Sequence, residues 1–255
     1  MSRESKVIIT AGASGIGLET AIAFSEIGAE VVICDINEEA LYTAKRDNPK
    51  LKIEYCDVSD PNTTESFICD AAKQLGGLDT LVNNAGIGGP TACIENITTE
   101  EWSKCLDVCL SSQFNCIKSS VRYLKESNNA SIINLSSAAG RLGFAMRSPY
   151  AAAKWGVIGL TKSLAIELGD YDIRVNAILP GIVAGVRQET VLMNKARIKN
   201  ISYEQVEAEA LSYSSIKKYV SATDIANQIL FLASTKGQMI SGQAISICGD
   251  LKMLA

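Results

Sequence analysis

Tyr150 and Lys154, with three alanines between them, place a phenol and an ammonium one helical turn apart on the same face of a helix. A free tyrosine titrates near ~10 and is a poor base at neutral pH. A fixed positive charge within reach of a phenol favours the phenolate. Such a phenol can take a proton from an alcohol or return one to a carbonyl oxygen. Ser137 lies upstream, at the mouth of the apolar run Ser131-Ile132-Ile133-Asn134-Leu135-Ser136, which reads as a buried parallel strand. A hydroxyl at the carboxyl end of such a strand faces the crevice where open α/β sheets bind ligands. Taken alone, Tyr-x-x-x-Lys fits equally a half-buried tyrosine beside a snorkelling lysine. The elements around it decide between the two.

The first such element is Val7-Ile8-Ile9-Thr10, a short apolar strand opening into Ala11-Gly12-Ala13-Ser14-Gly15-Ile16-Gly17 and then an apolar helix from Leu18 to Ile27. Glycines between a first strand and a helix let the backbone approach a pyrophosphate, and the helix N-terminus offers free N–H groups. The second strand, Glu30 to Asp35, ends on an acid 18 residues after Gly17. A carboxylate there accepts hydrogen bonds from both adenosine ribose hydroxyls and repels a 2′-phosphate. Neither Ser14 nor Ile36 supplies a compensating charge, so the expected cofactor is NAD. The fourth strand, Leu78 to Val82, runs into Asn83-Asn84-Ala85-Gly86.

The glycine turn, the acid after the second strand, the Asn-Asn-Ala-Gly turn and the Ser, Tyr and Lys set together resemble the short-chain dehydrogenase/reductase family over nearly the whole chain. The resemblance implies a single NAD-binding α/β domain over 1–255, a Rossmann-type doubly wound parallel sheet of about seven strands flanked by helices. It implies Ser137, Tyr150 and Lys154 as catalytic residues, with Lys154 also holding the nicotinamide ribose. It implies a cofactor site built from Gly12, Ser14, Gly15, Ile16, Gly17, Asp35, Asp57, Val58, Asn83, Asn84, Gly86, Tyr150, Lys154 and Val183. There Asp57 would meet the adenine amino group and the Val183 backbone the nicotinamide carboxamide. A homotetramer follows from the same resemblance. The chain departs from the family in three places: Ala11 stands at the first glycine, Cys109 at an asparagine of the proton relay, and Gly185 at a cofactor-contacting threonine.

Further bounds come from composition. The 255 residues are 47% hydrophobic and 20% charged, with a formal net charge of −4 and no basic tract, so neither nucleic acid nor an anionic membrane surface is an expected partner. No apolar run is long enough to span a bilayer. Eight cysteines are scattered without a Cys-x-x-Cys pair, and the first residues lack a signal-peptide core, so reduced thiols and a cytoplasmic location are expected. The absence of histidine removes Ser-His-Asp and Cys-His catalysis, and no metal is expected.

Alternating strands and helices continue to the end of the chain: a helix over 37–48, a third strand over 51–56, and a helix from Pro61 to Leu75. A long helix or helix pair spans 99–125, a sixth strand 173–179, a helix starts near Ser221 with Thr223 as its cap, and a last strand covers 244–248. The polar segment 185–219, helical in part over 202–212, is where the family builds a substrate lid. Arg141 and Arg147, between Ser137 and Tyr150, and Arg187, at the start of that segment, are candidate forks for an anionic group. A small hydroxy acid or polyol is the expected substrate. The alternatives are a larger apolar ketone of steroid or 3-oxoacyl type, or nucleotide sensing without catalysis on the same fold.

Overall fold

The computed structural model describes residues 5–254. Its centre is a parallel seven-stranded sheet: β1 (Lys6–Thr10), β2 (Glu30–Asp35), β3 (Lys52–Tyr55), β4 (Thr80–Asn83), β5 (Ser131–Leu135), β6 (Arg174–Pro180) and β7 (Ala244–Ile247). The spatial order is β3-β2-β1-β4-β5-β6-β7. The chain therefore winds outward from β1 to β3, returns to the other side of β1 at β4, and winds outward again. That reversal places a crevice outside the carboxyl ends of β1 and β4.

Nine α-helices cover the two faces among the described residues: α1 (Gly15–Glu26), α2 (Glu38–Asp47), α3 (Pro61–Leu75), α4 (Thr99–Leu106), α5 (Ser112–Leu124), α6 (Ser148–Glu167), α7 (Val186–Lys199), α8 (Tyr203–Ser212) and α9 (Ala222–Ala233). The central strands are apolar on consecutive residues because both faces are covered. Val7 and Ile9 join one core with Phe24 of α1 and Ile225 and Ile229 of α9. Ile8 joins the other with Phe67 and Ile68 of α3 and Ile117 and Leu124 of α5. Full burial of each such side chain contributes about 1.5–3 kcal/mol. No described helix is long and apolar enough to cross a membrane.

Several element ends shift from expectation by one to three residues, and four local features differ in kind or length. The third strand is shorter, Lys52–Tyr55, because it is an edge strand whose last two residues face solvent. The helix over 99–125 contains a π-helical turn at Asp107–Ser111. The cap of α9 is Ser221, in a reciprocal capping box with Asp224, and the Thr223 hydroxyl donates instead to Glu19 at 2.8 Å. Segment 186–199 is a full helix, α7, that polar composition concealed.

One buried hydroxyl sews β1 to the turn after β4. Thr10 Oγ1 accepts from the Asn84 N–H at 3.0 Å and from the Ala85 N–H at 3.1 Å. Thr10→Val keeps the shape and leaves both donors unpaired, so a loss of about 2–4 kcal/mol is expected, read as a lowered midpoint in urea unfolding.

Candidate active site

The glycine turn keeps its course without a glycine at its first position. Ala11 adopts φ 48°, a left-handed conformation costing a non-glycine residue about 1–2 kcal/mol. Its carbonyl accepts from Asn84 Nδ2 at 2.9 Å, and the Gly12 N–H donates to Cys34 O at 2.8 Å. A Cβ on Gly17 would collide with Ala11 O and the Asn84 amide, and one on Gly12 with the Ile33 side chain. Gly15 has φ 53° with open space where a side chain would project. Ser14, extended at the head of α1, makes no side-chain cap, so the first N–H groups of the helix remain available to an anion. Ile16 follows in the first turn of α1.

Asp35, at the end of β2, is tied to the same turn. Its carboxylate accepts from the Ala13 N–H at 3.3 Å and the Asn37 N–H at 3.1 Å, and retains lone pairs for further donors. Asp57 Oδ1 accepts from the N–H and hydroxyl of Ser59, at 2.9 and 2.6 Å, and Val58 is buried behind it. Asn83 donates to Asn134 Oδ1 at 2.9 Å, and Asn134 in turn donates to Thr161 Oγ1 at 3.0 Å. Past β6, Val183 pairs with Val220. The Ile182 carbonyl and the Ala184 N–H are taken by Val220, which leaves the peptide groups of Val183 on the opposite edge. These residues fit a dinucleotide: a cradle no Cβ could enter, a helix N-terminus and a strand-end carboxylate.

Ser137 stands in extended conformation just past β5, its Oγ accepting from the Ala139 N–H at 3.2 Å. Pro149 sits in the first turn of α6, where its missing N–H costs nothing, and Tyr150 follows it. Lys154 lies one turn further and is buried; its Nζ donates to Leu135 O at 2.8 Å and lies 5.7 Å from the centre of the Tyr150 ring. Ser137 and Tyr150 line one cleft together with Gly88, Phe144, Arg147, Arg187 and Lys195.

The three candidate arginines separate. Arg147 is buried and donates to Gly88 O, with its guanidinium 5.3 Å from the centre of the Tyr150 ring. Arg187 donates to Gly86 O at 2.8 Å. Arg141 does not reach the cleft: it is exposed and turned to β7, where it donates to Ala244 O and Ser246 Oγ. Lys195, Phe144, Met253 and Leu254 also line the cleft and were not among the sequence-derived candidates. Lys195, Met253 and Leu254 arrive through long-range chain paths, Phe144 lies between Ser137 and Tyr150, and no local motif marks any of them.

Cys109 lies in the π turn, and its thiol takes up both peptide groups of Ile87: Sγ accepts from the N–H and donates to the carbonyl, each at 3.3 Å. Its side chain thus ties the helix to the turn after β4. Cys109 is the more acidic of a thiol pair. The neighbouring Cys105 thiol, then Lys154, the Ile87 N–H and Arg187, favour its thiolate against the opposing cost of burial. The same pairing, with burial, pushes the Cys105 thiol up.

Known proteins bear on what this geometry does. A family model described as enoyl-(acyl carrier protein) reductase matches residues 10–249. A 3-oxoacyl-(acyl-carrier-protein) reductase of Thermotoga maritima is 35% identical, over 98% of this chain and 99% of that protein. The chain belongs to the short-chain dehydrogenase/reductase family. Within that family it is an oxidoreductase acting on alcohol and ketone groups. Two solved structures superpose on it closely. A variant of actinorhodin polyketide ketoreductase with NADPH has a TM-score of 0.93 at 29% identity, covering 99% of both chains. NAD+-bound xylitol dehydrogenase has a TM-score of 0.92 at 25% identity, covering 97% of this chain and 98% of that one. The doubly wound sheet expected from the sequence is the family's fold.

The Cys109 clasp generates a test. Cys109→Ala frees the partly buried peptide groups of Ile87, with an expected loss of about 1–2 kcal/mol in urea unfolding. Cys109→Ser, which keeps a donor and an acceptor, is expected to recover at least half of that loss.

Proposed function

We propose that the protein is an NAD-dependent dehydrogenase or reductase interconverting a secondary alcohol and a ketone on a small polar substrate. The observation that carries this reading is the convergence of Tyr150 and Ser137 on one cleft, with Lys154 anchored beneath them on Leu135 O. Bound nicotinamide supplies hydride exchange, and a site formed by Gly12, Ser14, Gly15, Ile16, Gly17, Asp35, Asp57, Val58, Asn83, Asn84, Gly86 and Val183 would hold the dinucleotide. Tyr150 exchanges the proton of the reacting oxygen. Ser137 donates a hydrogen bond to that oxygen and steadies negative charge on it. Lys154 keeps a positive charge beneath the ring and has two further N–H groups free to meet a ribose.

Asp35 supports NAD over NADP, since no lysine or arginine stands beside it in the turn to receive a 2′-phosphate. Helices α7 and α8 act as the lid of a single domain, carrying Arg187, Lys195 and Tyr213 to the cleft. Assembly into a homotetramer has support in the exposed apolar side chains Phe114 of α5 and Trp155 and Ile166 of α6. A cytoplasmic setting suits the eight free cysteines. A competing reading, a reductase of larger apolar ketones, draws on the apolar wall formed by Phe144, Val191, Leu192, Met253 and Leu254. The cations facing that wall favour the polar substrate.

A panel of alcohols and ketones assayed with NAD(H) and NADP(H) tests the reading. On any substrate that turns over, Tyr150→Phe is expected to lower kcat about a hundred- to ten-thousandfold while NADH still binds. Retention of wild-type kcat would refute the role of Tyr150. Asp35→Ala is expected to weaken NAD about tenfold or more, in KM or Kd, through loss of charged acceptors for the ribose hydroxyls. An unchanged NAD-to-NADP preference in that variant would refute the role of Asp35.

A further inference from the structure

Two cations in the cleft share one aromatic ring and no acid. The Arg147 guanidinium lies 5.1 Å from the centre of the Phe144 ring, and Lys195 Nζ lies 5.2 Å from the same centre. Arg147 is 95% removed from solvent, and its Nε has no partner. Neither side chain forms a salt bridge among the described residues. Glu209, which faces Lys195, is already engaged: Lys199 donates to both its oxygens at 2.9 and 2.8 Å, and the Tyr213 hydroxyl donates at 3.0 Å. Burial disfavours the charge on Arg147. Burial, then repulsion from Arg147 and Lys199, lowers the pKa of Lys195.

Burying like charges together without a counter-ion is unfavourable, and an anion placed between them removes the penalty. The remaining wall bounds the anion's chemistry. Val191, Leu192, Met253 and Leu254 are apolar, so the cleft offers a cationic end, a carbon-lined stretch and the Tyr150 ring. We propose that Arg147 and Lys195 form a carboxylate subsite, and that the substrate is a short-chain hydroxy acid or the corresponding oxo acid. This rests on the alcohol–ketone reading of the same cleft and narrows its substrate class. Arg187, held by Gly86 O beside the cofactor turn, and Arg141, turned to β7, are not part of the subsite.

The test uses the full chain saturated with NADH, with butyrate as the probe and butyramide as its uncharged twin. Butyrate is expected to raise Tm in a saturable way, and butyramide is not. Lys195→Gln is expected to weaken butyrate about ten- to hundredfold, and Lys195→Arg to restore most of the loss. Equal protection by butyramide, unaltered butyrate affinity in Lys195→Gln, or stronger protection by inorganic phosphate than by butyrate would each overturn the subsite. A turnover arm compares kcat/KM for a short hydroxy acid with that for its methyl ester. Wild type is expected to prefer the acid at least tenfold, and Lys195→Gln to bring the ratio towards one. A protein that turns over no alcohol or ketone of the wider panel but binds butyrate through Lys195 would sink the reading of this cleft as the reaction site and leave the carboxylate subsite standing, whereas one that turns over other alcohols but not the hydroxy acid would overturn the substrate class proposed here.

Discussion

The bond from Lys154 Nζ to the carbonyl of Leu135 fixes the relation on which the cleft depends. It ties the first half of α6 to the end of β5, and so sets where Tyr150 stands relative to Ser137. A buried ammonium needs such a partner, because an unpaired charge at this depth costs several kcal/mol. Ser136 adds a second tie, its hydroxyl donating to Lys154 O at 2.7 Å. Gly140 permits the closeness, since a Cβ there would press into both Ser136 Oγ and Lys154 O. Tyr150 therefore sits on a helix locked to the sheet, which is what the proton transfer proposed for it requires.

The other half of the site is held by side chains that satisfy backbone groups. Thr10 and Asn84 stitch the glycine turn to the turn after β4, and Cys109 clasps Ile87 one residue past Gly86. The π turn at Asp107–Ser111 gives the clasp its position, because it swings a residue out of the ordinary helical progression. At Ile87 the Cys109 side chain accepts from one N–H and donates to one carbonyl, and a thiol can do both, weakly.

How much was legible in the sequence follows from the range of the forces involved. The apolar runs at 7–10, 131–136 and 173–179 announce buried strands, because each needs only its own composition. The glycine turn, Asp35 and the Tyr150–Lys154 spacing are short-range patterns with a chemical meaning, and the parallel sheet sets the first two at its carboxyl end and Tyr150 early in the helix that follows β5. Arg141 shows where such reading stops. Its place between Ser137 and Tyr150 says nothing of direction, and hydrogen bonds on β7 draw it away. Thr223 fails for a related reason: two hydroxyls two residues apart compete for one cap, and Ser221 wins through its reciprocal bond with Asp224. Lys195 was unreadable as a site residue, because its meaning comes from Phe144 and Arg147 in a distant loop.

The side of the cleft proposed to meet substrate is built on a different plan from the side that carries Ser137 and Tyr150. Its residues come from the loop before α6, from α7 and α8, and from the last few residues of the described chain. These pieces are pinned to one another more than to the sheet. The Lys252 N–H donates to Tyr213 O at 2.9 Å, Leu251 bridges Ser214, and Leu254 bridges Phe144. Met146 holds φ 60° beside Arg147, with its carbonyl accepting from the Ala92 N–H at 3.0 Å. A positive φ at a methionine is a conformational cost, and the contacts around it offset that cost. The wall that meets the substrate can thus change in sequence while Lys154 still grips Leu135. That separation suits a fold that keeps one arrangement of Tyr150 and Lys154 while its loops vary, because the loops lie outside the sheet.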